Sequence, residues 1–166
     1  KSLKRFVQIG SSDEYGGTLA PQYEYMRESP ISPYSLGKTA STQLLQMLYR
    51  AEGIPTVILR LFLVYGPGQE NNRFIPQVII GCLSSANFPT SSGNQLRDFC
   101  YVDDITNGIL MALKNDKVNG KVINLASGKP VRIREVVELV QNKIGYGKAD
   151  FGKIPYRTGE NMELYA

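Results

Sequence analysis

The near-continuous apolar run Thr56-Val57-Ile58-Leu59-Arg60-Leu61-Phe62-Leu63-Val64-Tyr65, closed by Gly66-Pro67-Gly68, constrains this chain more than any other stretch. A run without polar alternation reads as a strand buried in the middle of a sheet. A helix with sharp boundaries precedes it. Ser32 stands as its N-cap and Pro33 at the first helical position, where a missing N–H costs nothing; Gly53, just before Pro55, is the stop. Ahead of the helix, Arg5-Phe6-Val7-Gln8-Ile9-Gly10 reads as a second buried strand running into the polar stretch Ser11-Ser12-Asp13-Glu14-Tyr15-Gly16. Strand, helix and strand form one right-handed crossover of a parallel sheet, so an α/β fold is expected. In open sheets of this kind ligands bind at the carboxyl ends of the strands, which is where the Ser11 stretch falls.

Early in the predicted helix, Tyr34 and Lys38 stand one turn apart on one face. A phenol with an ordinary pKa of about 10 is a poor base at neutral pH, and a fixed ammonium nearby lowers that value. Tyr34 is thus a candidate acid/base and Lys38 its tuner; the bland alternative is two solvated side chains. The chain contains no histidine, which removes Ser-His-Asp, Cys-His and His-ligated metal chemistry and leaves tyrosine as the natural proton carrier. Cys82 and Cys100 lack metal-ligand spacing and read as reduced core thiols of a cytoplasmic protein. The net charge of +4 is scattered without a basic helix, so nucleic acid is not expected as a partner, whereas an acidic small substrate suits the sign. No apolar run approaches the roughly 18 residues of a membrane span.

Taken in order, Ser11-Ser12-x-x-Tyr15-Gly16, Ser32-Pro33-Tyr34-x-x-x-Lys38, Leu59-Arg60-Leu61-Phe62-x-Val64-Tyr65-Gly66-Pro67-Gly68 and Arg97-Asp98-Phe99-Cys100-Tyr101-Val102-Asp103-Asp104 resemble the extended short-chain dehydrogenase/reductase family. Its members are nucleotide-sugar epimerases, 4,6-dehydratases and ketosugar reductases. The resemblance implies part of a doubly wound Rossmann-like parallel sheet plus part of a smaller substrate-binding domain. Residues 1–68 and 101–127 would form the second half of the dinucleotide-binding domain, and 69–100 and 128–166 a partial nucleotide-sugar-binding domain. It also implies NAD or NADP as cofactor, yet nothing here matches the family's glycine-rich G-x-x-G-x-x-G loop, which lets the backbone approach a pyrophosphate. The expectation is therefore the interior of a longer enzyme, inactive as an isolated piece.

By the same resemblance, Ser11, Tyr34 and Lys38 are the catalytic triad. Tyr34 takes the proton of the sugar 4-hydroxyl while a hydride leaves C4, Ser11 hydrogen-bonds the reacting hydroxyl, and Lys38 holds the nicotinamide ribose. Asp13 occupies the place of the dehydratases' glutamate base. It reaches one methylene less far, which counts against dehydration because proton abstraction needs contact at roughly 2.6 to 3.2 Å. Glu14 is expected to face away if the strand continues. Arg97 and Arg157 match diphosphate-contacting arginines, whose planar fork suits phosphate oxygens. Glu160 stands where the family holds the ribose or an arginine, Thr90 lies in the nucleobase strand, and Arg73 starts the helix leading there. Two positions depart from the pattern: Leu63 replaces an amide side chain that contacts substrate, and Ser92-Gly93-Asn94-Gln95 replaces Gly-Asp-Gly.

Of the further elements, 121–128 reads as a strand with a turn, 133–144 as an amphipathic helix ending at Gly145, and Asp103-Asp104 as the capped start of a helix through Leu113. Leu44, Leu45 and Leu48 on the Tyr34 helix suit the helix-pair homodimer this family often forms. The function expected is C4 epimerisation of a nucleoside-diphosphate sugar. A 4,6-dehydratase, a 4-ketosugar reductase, a non-catalytic dinucleotide-binding scaffold and an inert fragment stay open.

Overall fold

The computed structural model describes residues 3–84 and 87–166. Along the chain lie β1 (Phe6–Ser11), α1 (Pro33–Glu52), β2 (Thr56–Leu61), β3 (Leu63–Tyr65), α2 (Phe74–Leu83), β4 (Asn87–Pro89), β5 (Leu96–Tyr101), α3 (Val102–Lys114), β6 (Val122–Leu125), β7 (Pro130–Arg132), α4 (Ile133–Ile144), β8 (Lys148–Asp150) and β9 (Glu163–Leu164).

β2 is the middle strand of a parallel sheet ordered β1-β2-β6, with Ile9 opposite Leu59, Ser11 opposite Leu61, and Leu59 opposite Ile123. Its side chains alternate between two helical layers. Val57 and Leu59 are buried with Ile109 and Ala112 of α3. On the other face Thr56 donates to the Leu45 carbonyl of α1 at 3.1 Å, and Arg60 meets the buried polar groups beneath that helix. Helices on both faces explain why β2 is buried on both sides and lacks polar alternation, as in doubly wound α/β sheets.

The run is not a single strand, contrary to the sequence expectation. Phe62 interrupts it: its N–H bonds the Leu125 carbonyl at 3.2 Å and its ring is buried against Tyr15, Cys100 and Ile105. Beyond that break β3 leaves β2's neighbours and pairs in parallel with β5, which also carries β7 antiparallel and β9 parallel. One apolar stretch thus serves two sheets.

A second core lies apart from the first, formed by Val78 and Cys82 of α2, Val137 of α4 and Ala149 of β8, with Phe88 and Phe151 packed on it. β4 and β8 pair in parallel above this core. α4 spans the residues its amphipathic pattern marks and stops at the left-handed Gly145. Asp103 and Asp104 lie in the first turn of α3, but the N-cap Tyr101 makes no side-chain capping bond; the acids contribute charge at the positive helix end rather than a cap. No described helix is long and apolar enough to cross a membrane.

Cys82 and Cys100 are both free and buried. Burial, followed by the charge and hydrogen bond of Asp98, pushes the Cys100 thiol up to about 12. At pH 8 iodoacetamide should therefore alkylate Cys100 roughly a thousandfold more slowly in the folded chain than in urea, because only the thiolate reacts. Mass spectrometry against time checks this, and matching rates would refute it.

Candidate active site

β1 ends at Ser11, and the chain folds at once into a single 3₁₀ turn, Ser12–Tyr15. Ser11 is its N-cap: the hydroxyl accepts from the Asp13 N–H at 3.1 Å, which leaves its own O–H to donate elsewhere. Because the strand stops here, Glu14 does not face away as a continuing strand would place it. It turns inward and is fully buried. Its Oε1 accepts from the Ser11 N–H at 2.9 Å, and its Oε2 accepts from Thr42 Oγ1 at 2.7 Å and from Arg60 Nε at 3.0 Å. Arg60 is itself fully buried, pairs with Glu28 through Nη2, and lies 4.6 Å from the Tyr15 ring centroid. Burial raises the Tyr15 phenol; Arg60 and Asn124, which accepts the phenol's hydrogen bond at 2.8 Å, oppose it.

α1 starts as its sequence dictates. Ser32 accepts from the Ser35 N–H at 3.1 Å, Ser35 accepts from the Ser32 N–H at 3.0 Å, and Pro33 occupies the first turn. That start sets Tyr34 on the open side of the helix, 57% exposed. Lys38 reaches from the next turn to the sheet, where Nζ donates to the Ile9 carbonyl at 2.9 Å and lies 5.7 Å from the Tyr34 ring centroid. One of its three donors is thus used and two remain.

Three adjoining cavities share Leu63 in their linings. The largest, about 580 Å³, is lined by Arg97, Thr90, Arg157 and Glu160 along with Leu63, Phe88 and Tyr156. A small one of about 110 Å³ is lined by Ser11, Asp13, Leu63 and Arg97. Arg73 lines the third, about 480 Å³, which also touches Leu63. Arg97 and Leu63 therefore join the Ser11 corner to the large cavity, while Arg73 stands apart from Arg97 and Arg157. Tyr34 and Lys38 line none of the three.

Arg97 is held in place. Nη1 donates to the Leu96 carbonyl at 2.9 Å, and Nη2 to Glu160 and to the Asn161 carbonyl, both at 2.7 Å. Three of its five N–H groups are thereby used, leaving two for a ligand. Burial lowers the guanidinium from its ordinary value, against the charges of Glu160 and Asp13. Glu160 thus pairs with Arg97, 63 residues earlier in the chain. Among the described residues no group of His, Cys, Asp or Glu is placed to hold a metal ion.

Sequence reasoning missed the Glu14–Arg60–Thr42 cluster. Two signals carried it: the spacing Ser11-x-x-Glu14 is that of a capping box, and Arg60 is the only charge in an otherwise apolar run.

The model of the NAD dependent epimerase/dehydratase family matches residues 1–126. A UDP-glucuronate 4-epimerase from Thermodesulfobacterium geofontis is 30% identical over 146 residues, covering 86% of this chain and 45% of the relative. Among solved structures, a UDP-glucuronic acid 4-epimerase from Bacillus cereus in complex with UDP-glucuronic acid and NAD superposes with a TM-score of 0.88 at 30% identity, over 100% of this chain and 53% of that one. A UDP-N-acetylglucosamine 4-epimerase from Methanobrevibacter ruminantium gives 0.92 at 28% identity, over 99% and 54%. The chain spans about half the length of the curated relatives it matches.

The buried charges make a stability prediction. Arg60→Met leaves Glu14 uncompensated and should cost about 3–5 kcal/mol, whereas adding Glu14→Leu should recover most of that loss. Urea titration of both variants decides it; a double variant no more stable than the single one would show that the loss does not come from an uncompensated Glu14.

Proposed function

The chain belongs to the NAD dependent epimerase/dehydratase family, and on that premise we propose that it carries the catalytic half of a nucleotide-sugar 4-epimerase using NAD. One observation above the others supports this reading: Lys38 is tied to Ile9 two residues before Ser11, so the ammonium, the phenol beside it and the strand end carrying the serine are gathered at one edge of the sheet. The donor set suits a dinucleotide. Lys38 keeps two N–H donors for a ribose diol, and a Cβ placed on the neighbouring Gly37 would meet nothing within 4 Å beyond its chain neighbours and its own helix backbone, so that side of the helix is open.

When bound, the nicotinamide supplies the acceptor for a hydride from sugar C4 and the donor that returns it to the opposite face. Tyr34 accepts the proton of the 4-hydroxyl as the ketone forms and gives it back as the ketone is reduced. Ser11 donates its free O–H to the reacting oxygen. Arg97 and Arg157 hold the diphosphate in the 580 Å³ cavity, with Thr90 beside the nucleobase and Glu160 fixing Arg97. Asp13 lines the small cavity with Ser11 and Arg97, and its short reach counts against a part as C5 base. Arg73, in the separate cavity, is read as an outer contact. The exposed Leu44 of α1 is the face we assign to a second copy; Leu45 and Leu48 are partly covered by the chain's own packing.

Tyr34→Phe removes only the phenolic oxygen. In the full-length protein it should lower turnover of a UDP-sugar by about 100-fold or more while UDP binding is retained, and unchanged turnover would refute the assignment. Arg97→Lys loses the planar fork and should weaken UDP binding about tenfold in calorimetry. Equal affinity would remove Arg97 from the diphosphate contacts.

A further inference from the structure

We propose that Glu14 is a positioning residue that sets the Ser11 hydroxyl against the helix carrying Tyr34 and Lys38. The inference rests on the reading of Ser11, Tyr34 and Lys38 as one reacting group, and it is argued from contacts that capping alone does not require.

A capping box needs one carboxylate oxygen on the N-cap N–H, and Glu14 Oε1 meets that need at Ser11. Oε2 does something else. It accepts from Thr42 of α1, also fully buried, and from Arg60 of β2, so one carboxylate bonds the strand end, the helix and the middle strand. Thr42 is one turn beyond Lys38 and two beyond Tyr34 on α1. The helix therefore ties to β1 twice: Lys38 directly to the Ile9 carbonyl, and Thr42 through Glu14 to the Ser11 N–H. The spacings match. Four helical residues rise about 6 Å and two strand residues about 6.6 Å, so both ties close with strand and helix in a single register. The strand also leaves room for the carboxylate, since a Cβ on Gly10 would come within 2.6 Å of Glu14 Oε1.

Stability does not account for this arrangement. Buried ion pairs are commonly replaceable by apolar residues at no loss, and an apolar contact would seal α1 to β2 equally well. What an apolar contact lacks is direction: only the hydrogen-bonded carboxylate fixes where the Ser11 amide, and hence its hydroxyl, stands relative to α1.

Thr42→Val tests this while leaving Glu14 paired with Arg60, and Thr42→Ser restores the hydroxyl. The Ser11 amide in the valine variant should exchange with solvent about tenfold faster by NMR, the equivalent of one lost buried hydrogen bond. In the full-length protein with NAD and a UDP-sugar, kcat should fall about tenfold with KM unchanged, and Thr42→Ser should return it to near the original value. Faster exchange, reduced kcat and rescue by serine together support the proposal. Unchanged exchange, or unchanged kcat despite faster exchange, overturns it. If Thr42→Val does not fold, Thr42→Ala is read in the same way. Absence of turnover by the unmodified full-length protein would overturn the proposed reaction instead, and the exchange rates alone would then decide whether the clamp exists.

Discussion

A guanidinium buried in the middle strand of the sheet is the constraint on which the rest of this structure depends. Arg60 has no exposed surface, and removing an ion from water costs several kcal/mol unless charge and hydrogen bonds replace the lost solvent. The replacements are Glu14, Glu28 and the face of Tyr15. None of them can reach Arg60 unless the chain turns immediately after Ser11 and then brings residue 28 back over the sheet. Gly16 makes the turn possible: its φ of 52° suits glycine, and a Cβ there would run into the Ser29 carbonyl. The intervening loop is held by Gln22, which pairs with Tyr165, and by Asn161 Nδ2, which donates to the Gly16 carbonyl at 2.7 Å. Balancing one charge therefore shapes the whole surround of the strand end that carries Ser11.

How much of this was legible in the sequence follows from how local each cause is. α1 was readable at both ends because Ser32, Pro33 and Gly53 act within a turn of themselves. α4 was readable from its amphipathic period and from Gly145 at its end. The division of residues 56–65 was not, since nothing between Leu61 and Leu63 marks it; Phe62 breaks the run only because Leu125 and the Tyr15 core are present to receive it. Glu14 was misplaced by assuming that β1 continued. The partner of Glu160 lay beyond local reading too: it pairs with Arg97, 63 residues earlier, while Arg157 lies three residues away. Structure set within a turn of its cause can be read without coordinates, and contacts that depend on which strands become neighbours cannot.

The candidate site combines two kinds of preparation. Arg97 has three N–H groups already bonded and its orientation fixed by Glu160 and Asn161, so as the proposed diphosphate contact it would lose little side-chain entropy on binding. Leu63, at the junction of all three cavities, supplies shape without a hydrogen bond. On the proposed reading, polar recognition in the large cavity falls to Arg97 and to residues 157–160.

Ser11 and Tyr34 are held in opposite ways, and the contrast bears on how they could work together. Ser11 sits in a buried lattice of hydrogen bonds; Tyr34 is mostly exposed on a helix whose attachment runs through Lys38 and Thr42. A misplacement of about 1 Å between reacting groups can cost a hundredfold in rate, so a side chain with an open surface must inherit its position from its backbone. That backbone is α1, and α1 is fixed to the strand end by an ammonium on one carbonyl and a hydroxyl on one carboxylate. The cluster of Glu14, Thr42 and Arg60 thus links a serine and a tyrosine that do not otherwise share an element of structure.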